Sequence, residues 1–314
     1  MSSYSDYIFT YDSSKTILMD DALSIKELSN GNFLVKIYIA DVTTSSHLDI
    51  KKVLETSINS TQTLIKRGRM NKAPSRRALS LAAGKERKVN VFELQLDKNN
   101  GEIVDFKVDN RVIIVDANYS PESIQNIKND GGIRECLYLL KRIYPVIYQK
   151  RLVESKYIYF YYRICNEFET FKPYNLQKTL QYLLNLCAEQ IAEYFLLNNY
   201  PFLYYNRIFE SPNLLNQFID KHNEESGKLI TIDTLEQFNK LKSQIQYFST
   251  KNAGYSFLGA KCYCKFSSPI SMKGSTITNV LIEELIHNEA TPSKIQYWSN
   301  QLNQFEKRKI FTRN

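Results

Sequence analysis

The sequence predicts an α+β fold in a single domain, with an antiparallel-rich sheet packed by helices. Two strand-rich regions, at 7–42 and 88–115, come before a half of the chain that is mostly helical. The clearest elements are an alternating hairpin and one long amphipathic segment. Because no internal repeat, low-complexity linker or domain boundary interrupts the 314 residues, we expect one domain over 1–314.

Strands are predicted over 7–12 and 33–42, because the second of these segments is rich in β-branched and aromatic residues after a turn of Asn and Gly. A hairpin follows with little ambiguity. Residues 88–96 alternate between apolar and polar, residues 97–101 form the turn, and residues 102–115 return as the second strand.

The rest of the chain favours helices. The longest, 176–198, repeats its apolar residues at helical spacing. The other predicted helices are 51–67, 134–152, 211–222, 232–248, 275–289 and one near 292–310. Between them the Tyr-rich segment 157–162 is predicted as an aromatic strand.

The composition is that of a globular protein with a basic surface. Hydrophobic residues make up 43% and charged residues 24%, which argues against wholesale disorder. The net charge of +8 is compatible with a polyanionic partner, and equally with a soluble protein whose surface is basic. No secretory signal and no run of about 20 apolar residues is present, so we expect no membrane partner.

Five cysteines form no regular framework. An odd number without such a framework indicates free thiols, and hence a cytoplasmic or other reducing intracellular compartment. Zinc is not expected, since no second Cys/His pair has ligand spacing. The three histidines are far apart in the sequence, and no pattern joins them to a nucleophile.

Three carboxylates lie close together near the start of the chain, at Asp12 and at the adjacent pair Asp20 and Asp21. Such a group is electrostatically costly unless a cation compensates it, which favours a Mg²⁺ site that handles phosphates. The alternative is a solvated turn followed by an acid at a helix N-terminus. Ala22 and Leu23, which follow the pair, favour the metal or phosphate site.

The same residues carry a resemblance to a known family. The stretch 11–25, followed by 38–43, is similar to the opening of the RNB domain of RNase II-type exoribonucleases, whose signature is T-I-D, five residues, D-x-D-D-A-L, then H-I-A-D-V-S. Further segments resemble later family motifs in the expected order, and they lie at 79–87, 199–207, 253–256 and 263–270. The resemblance extends from about residue 9 to residue 290.

The resemblance implies a single RNB-like domain folded around an RNA channel, with single-stranded RNA as partner and metal-assisted 3′-to-5′ hydrolysis as the ancestral reaction. Asp12, Asp20 and Asp21 would be the metal ligands, with Mg²⁺ as cofactor if the protein is active. Asp20 and Asp21 would be the main catalytic residues. Lys273 would supply residual positive charge.

The match is incomplete where the chemistry is expected. The family's first D of D-x-D-D is Leu18 here, the arginine after S-P-I is Ser271, and the aspartate downstream is Ser275. Tyr38 and the pair Asn279-Val280 replace the usual His and His-Arg. Loss of an arginine that neutralises developing charge costs orders of magnitude in rate.

We therefore expect a degenerate active site with weak or absent Mg²⁺-dependent hydrolysis. The alternative is a non-catalytic scaffold or subunit of an RNA-related complex. Polar groups around Leu18 and Ser271 would favour the enzyme, and apolar groups would favour an inactive site.

RNA contacts are predicted in two places. The basic stretch 67–77 contributes four arginines, and the later block contributes Ser268 and Tyr263; the arginines are Arg67, Arg69, Arg76 and Arg77. The alternatives are a solvated basic loop, a plain turn and a buried aromatic. Because the flanking cold-shock and S1 barrels of many relatives are not expected here, RNA capture would fall to the core or to a protein partner.

Overall fold

The computed structural model describes residues 6–43, 74–127, 130–167, 175–224, 231–270, 272–287, 291–293, 296 and 300. Six of its strands form one sheet. In chain order they are β1 (Phe9–Tyr11), β2 (Asp21–Glu27), β3 (Phe33–Ala40), β4 (Glu86–Leu96), β5 (Ile103–Ile114) and β6 (Ala117–Tyr119).

The sheet has the order β5-β4-β3-β2-β1-β6. Every neighbouring pair is antiparallel except β1 and β6, which run parallel. The antiparallel-rich sheet predicted from the sequence is thereby confirmed, and the predicted hairpin is β4–β5. Strand β3 lies in the middle and is buried along nearly its whole length.

Helices dominate the second half of the chain. They are α1 (Pro74–Leu79), α2 (Gly131–Glu154), α3 (Lys156–Glu167), α4 (Leu176–Leu197), α5 (Pro212–Glu224), α6 (Ile232–Leu241) and α7 (Lys273–Ile286). A small antiparallel hairpin, β7 (Tyr204–Phe209) and β8 (Gln244–Ser249), lies between them. None of the helices in the described part of the chain is long and apolar enough to span a bilayer.

The main core lies between the sheet and the long helices α2 and α4. Asp130 caps the start of α2 by accepting from two backbone N–H groups, and Asn175 caps α4 in the same way through one. The apolar faces of both helices then pack on β3 and β4, with Leu140, Phe195 and Phe92 fully buried. The two helices therefore cover one face of the sheet.

The predicted aromatic strand at 157–162 is wrong, since these residues belong to helix α3. The hydroxyl oxygen of Ser155 accepts from the Ile158 N–H at 3.2 Å and so caps the helix start. Phe160 and Ile164 then fall on one helical face and pack against Phe238. Tertiary packing at helical spacing has overridden the β-propensity of the aromatic run.

Two further boundaries differ from the sequence predictions. The helix predicted over 232–248 ends at Leu241, and residues 244–249 alternate as strand β8 against β7. Asp21 begins strand β2, which the sequence analysis did not recognise as a strand. The predicted helix 51–67 lies outside the described residues, and so does nearly all of the one near 292–310.

Candidate active site

The three predicted carboxylates lie where strand β1 ends and strand β2 begins. Phe9 of β1 is opposite Leu23 of the antiparallel strand β2, so this register brings the end of β1 beside the start of β2. Asp12 follows β1 directly, while Asp20 and Asp21 lead into β2. We call Asp12, Asp20 and Asp21 the carboxylate cluster.

The like charges of the carboxylate cluster act on one another. Burial, and then the charges of Asp21 and Asp20, raise the pKa of Asp12 to about 7, while a hydrogen bond with Thr10 opposes the rise. Burial also raises the pKa of Asp21, and the positive charge of Lys265 opposes that rise. The cluster therefore lies in a region of low solvent access where carboxylates repel each other.

Asp20 connects the carboxylate cluster to a distant part of the chain. Its carboxylate Oδ1 accepts a hydrogen bond of 2.7 Å from the backbone N–H of Ile270, and its own backbone carbonyl accepts from the N–H of Ala40. Ile270 ends the Ser-Ser-Pro-Ile loop before α7. Within that loop Ser268 has a φ of 65°, a left-handed conformation that is uncommon for a residue other than glycine.

Apolar groups surround the position where the family has its first aspartate. Leu18 is half-buried and packs, together with Met19, against a cluster that includes Ala40, Leu81 and Ile270. Ser271, which stands where the family has its arginine, lies outside the described residues.

A second buried polar group lies between β4, β5 and α7, and we call it the amide cluster (Asn90, Asn110, Asn279 and Glu283). Asn279 donates to the backbone carbonyls of Phe266 at 2.7 Å and Ser275 at 2.8 Å. Asn110 donates to Asn90 Oδ1 and to Glu283 Oε1, both at 3.1 Å. Asn279, which replaces the family's histidine, is thus a packing residue that ties α7 to the sheet.

Two other predicted positions lie on α7. Ser275 is fully buried, and its hydroxyl oxygen has no hydrogen-bond partner among the described residues. Lys273 is the first residue of α7, but its side chain is outside the described part of the structure. Its predicted role as the residual positive charge stays a prediction.

A magnesium ion in a protein is usually held by one or two carboxylates together with water molecules and substrate phosphates. Within the described residues, no group of three or more His, Cys, Asp or Glu side chains is placed to hold a metal ion. Leu18 offers no oxygen, and one oxygen of Asp20 is already bound to Ile270. Relative to the family motif, the chain therefore keeps Asp12, Asp20 and Asp21 as carboxylate donors and lacks the fourth.

The predicted RNA-contacting residues are not all brought together. Arg67 and Arg69 lie outside the described residues, Arg76 is in α1 with its side chain undescribed, and Arg77 is exposed. Tyr263 is buried, and its hydroxyl donates to Asn185 Oδ1 at 2.9 Å, so its ring is not free to stack on a base in this structure. The predicted RNA contact of Tyr263 stays a prediction, and the burial of the residue favours the alternative of a buried aromatic.

Two cationic residues, Lys265 and Arg207, were not named from the sequence. Lys265 is half-buried between the buried residues Cys264 and Phe266, and Arg207 of β7 lies close enough to influence its pKa. The guanidinium of Arg207 stacks over the ring of Tyr255 at 4.5 Å and donates to its hydroxyl. A charged residue inside an apolar run was the available signal for Lys265.

A family model described as RNB domain matches residues 3–272. No curated protein matches the sequence.

Three solved structures share the fold. Mycoplasma genitalium RNase R in complex with double-stranded RNA has a TM-score of 0.69 at 16% identity, over 94% of this chain and 60% of that one. An active-site mutant of the Dss1 exoribonuclease from Candida glabrata gives 0.64 at 17%, over 97% and 44%. Yeast Ssd1, a pseudonuclease, gives 0.60 at 13%, over 96% and 42%. This chain therefore spans between 42% and 60% of the length of these proteins.

Proposed function

This chain belongs to the RNB-domain family, and we propose that it binds single-stranded RNA while its hydrolytic site is degenerate, with weak or absent Mg²⁺-dependent hydrolysis. The proposal joins two features of the molecule. The fold and the loop that approaches Asp20 are retained. One of the family's metal-binding carboxylates is replaced by Leu18, and the arginine that would brace a phosphate is replaced by Ser271.

The observation that carries the proposal is the packing of Leu18. A leucine at a ligand position removes a carboxylate, and Leu18 packs against an apolar cluster. Burying an unpaired carboxylate there would be costly, so the site is adapted to leucine. Metal-assisted attack on a phosphodiester requires charge at that position that this chain does not provide.

RNA binding is supported by charge close to the carboxylate cluster. The backbone N–H of Leu81 donates to the Met19 carbonyl at 3.0 Å, which brings the segment after α1 beside Asp20. Arg77 of α1, Lys85 and Lys88 at the start of β4 are exposed. Exposed cations of this kind release the counterions of a phosphate backbone and attract it without reading its sequence.

The structural neighbours agree with both halves of the proposal. RNase R has been solved with double-stranded RNA and with ribose-methylated single-stranded RNA, so its fold accommodates RNA. Ssd1 is a pseudonuclease, which shows that this fold also exists in a protein without nuclease function. At identities below 25%, these likenesses establish the fold, and the RNA partner of this chain is our inference.

The experiment is a paired binding and degradation assay. The full chain and an Asp20→Asn variant are incubated with a 5′-labelled single-stranded RNA in Mg²⁺ or Mn²⁺. We expect a shifted complex and intact RNA for both proteins. Laddering that disappears in Asp20→Asn would contradict the degenerate site, and absence of binding would contradict the RNA function and favour a scaffold.

A further inference from the structure

Strand β5 forms one edge of the six-stranded sheet. It pairs with β4 along one side. On its other side, within the described part of the chain, no strand pairs with it and no backbone group of another segment hydrogen-bonds to it. An unpaired row of N–H and C=O groups along a strand of 12 residues is a template for a further strand. The edge can therefore accept a partner strand.

The middle of β5 carries four charges of alternating sign on one face, at Asp105, Lys107, Asp109 and Arg111. Their side chains are between 45% and 68% exposed. Lys107 Nζ lies 2.9 Å from Asp105 Oδ2, and Arg111 Nε lies 2.7 Å from Asp109 Oδ2. Exposed ion pairs of this kind contribute little to the stability of one chain. The four charges therefore remain available to a partner strand, and their order decides which strand can pair.

This order of charges is complementary to itself when the strand is reversed. With a two-fold axis at Val108, Lys107 comes opposite Asp109 of the second copy. In the same register Asp105 comes opposite Arg111, so that each of the four charges faces one of the opposite sign. An axis one residue nearer either end would place Asp105 opposite Asp109, or Lys107 opposite Arg111. Like charges directly opposite each other destabilise a sheet, so only the axis at Val108 suits the whole row.

The same register brings the exposed apolar residues together. Val112 and Ile114 lie at one end of β5 and Val104 lies at the other, with exposed fractions of 59%, 52% and 52%. In the antiparallel pair, Val112 of each copy comes beside Val104 of the other. The register between β4 and β5 shifts next to Val104, so the regular part of the contact is 105–111. Exposed aliphatic side chains along an unpaired edge are typical of an interaction surface.

We propose that β5 is a homodimer interface, in which it pairs antiparallel with β5 of a second copy about a two-fold axis at Val108. The two six-stranded sheets then form one continuous sheet. Such a contact uses the same surface on both copies and closes after two chains. Because one pair of edge strands buries less area than a standard interface, we expect a dissociation constant in the micromolar range. The interface requires neither RNA nor a metal ion.

The test is sedimentation velocity of the full chain from about 1 to about 200 µM, at low ionic strength where exposed charges are least screened. The wild type should change from monomer to dimer over this range. Lys107→Glu and Asp109→Lys each create like-charge pairs at two symmetry-related places, and each should raise the dissociation constant at least about tenfold. Lys221→Glu, a charge reversal at an exposed position of α5, is the matched control and should dimerise like the wild type.

An equimolar mixture of Lys107→Glu and Asp109→Lys tests the register itself. In the mixed dimer the introduced carboxylate faces the introduced ammonium, and the native Asp109 faces the native Lys107, so dimers should form again. Circular dichroism verifies that both variants are folded. A wild type that stays monomeric would overturn the inference and leave the edge to a strand of another protein. A dimer that neither reversal weakens, or a mixture that stays monomeric, would also overturn it.

Discussion

The carboxylate cluster and the amide cluster are both buried polar groups on the same sheet, but they are built in opposite ways. In the amide cluster, Asn279, Asn110 and Asn90 exchange hydrogen bonds with one another, with Glu283 and with backbone carbonyls. In the carboxylate cluster like charges face each other, and the pKa of Asp12 rises to about 7, first through burial and then through Asp21 and Asp20.

This difference indicates that the amide cluster stabilises the fold, whereas the carboxylate cluster is kept from the family's chemistry. Buried amides that satisfy each other stabilise the fold, which explains why a residue such as Asn279 can replace a family histidine without loss of packing. Repulsion between carboxylates lowers stability, so the carboxylate cluster is not there to stabilise the fold. Its residues lie in the acidic motif of the family, between strands β1 and β2, which accounts for their presence.

The largest effect should come from restoring the missing carboxylate. Leu18→Asp places a charge against the apolar cluster around Ile270 and beside three other carboxylates. We expect the free energy of unfolding to fall by about 3 kcal/mol in urea denaturation. Ile17→Asp is the control, because Ile17 is 56% exposed and should change stability by less than about 0.5 kcal/mol. An unchanged stability in Leu18→Asp would show that the position is still a polar site.

A smaller loss is expected in the amide cluster. Asn279→Ala leaves the buried carbonyl of Phe266 without this donor and removes the side-chain hydrogen bond to the Ser275 carbonyl. The free energy of unfolding should fall by about 2 kcal/mol. The exposed residue Asn213 gives the control Asn213→Ala, for which no comparable loss is expected. Should the two variants be equally stable, the amide cluster would not be the structural element that we describe.

Asp12→Asn is expected to increase the free energy of unfolding, in contrast to the two variants above. In the folded state the pKa of Asp12 is raised to about 7, above its usual value of 3.8. A raised carboxyl pKa means that stability falls as the pH rises from about 4 through 7, and that the penalty is complete above 7. Asparagine carries no such penalty.

Asp12→Asn should therefore be more stable than the wild type by about 1 to 2 kcal/mol at pH 8, after allowance for partial solvent screening, and equal to it near pH 4. Thermal unfolding at both pH values gives the comparison. Asp105→Asn serves as control, since a hydrogen bond with Lys107 lowers the pKa of that exposed carboxyl. A stability difference for Asp12→Asn that does not change with pH would refute the charge repulsion.

The smallest effect concerns the basic surface beside the carboxylate cluster. Arg77→Ala removes one exposed cation. We expect RNA affinity to fall by about 0.5 kcal/mol at low salt, and the dependence on salt to become less steep by about 0.7 in the logarithmic slope. Lys221→Met, on the distant helix α5, should change neither quantity. Equal losses in both variants would mean that binding follows net charge and is not localised.

Much of the fold was predictable from local patterns. Hairpin β4–β5 and helix α4 have strong periodicity, and their predicted bounds lie within a few residues of the observed ones. Helix α3 was not predictable in this way, since a dense run of tyrosines has β-propensity and only its packing against Phe238 makes it helical. Strand β8 was not predicted, because its apolar residues continue the helical spacing of α6.

Only those site residues that belong to a recognisable sequence motif were predictable. Asp12, Asp20 and Asp21 were named from spacing, and the strand register then placed them together. Lys265 stood in the segment 263–270, from which the sequence analysis named only Tyr263 and Ser268 as RNA contacts. Its effect on the pKa of Asp21 depends on the folded path of 263–270, over 200 residues away in sequence, which no local pattern contains.

The central claim is that RNA is held here without a metal ion. Its most direct test measures the affinity of the full chain for a 5′-labelled single-stranded RNA, once in Mg²⁺ and once in EDTA, and follows the integrity of the label in both. We expect equal affinity at matched ionic strength and intact RNA in each case. Affinity that disappears in EDTA, or shortening of the RNA that requires Mg²⁺, would contradict the claim.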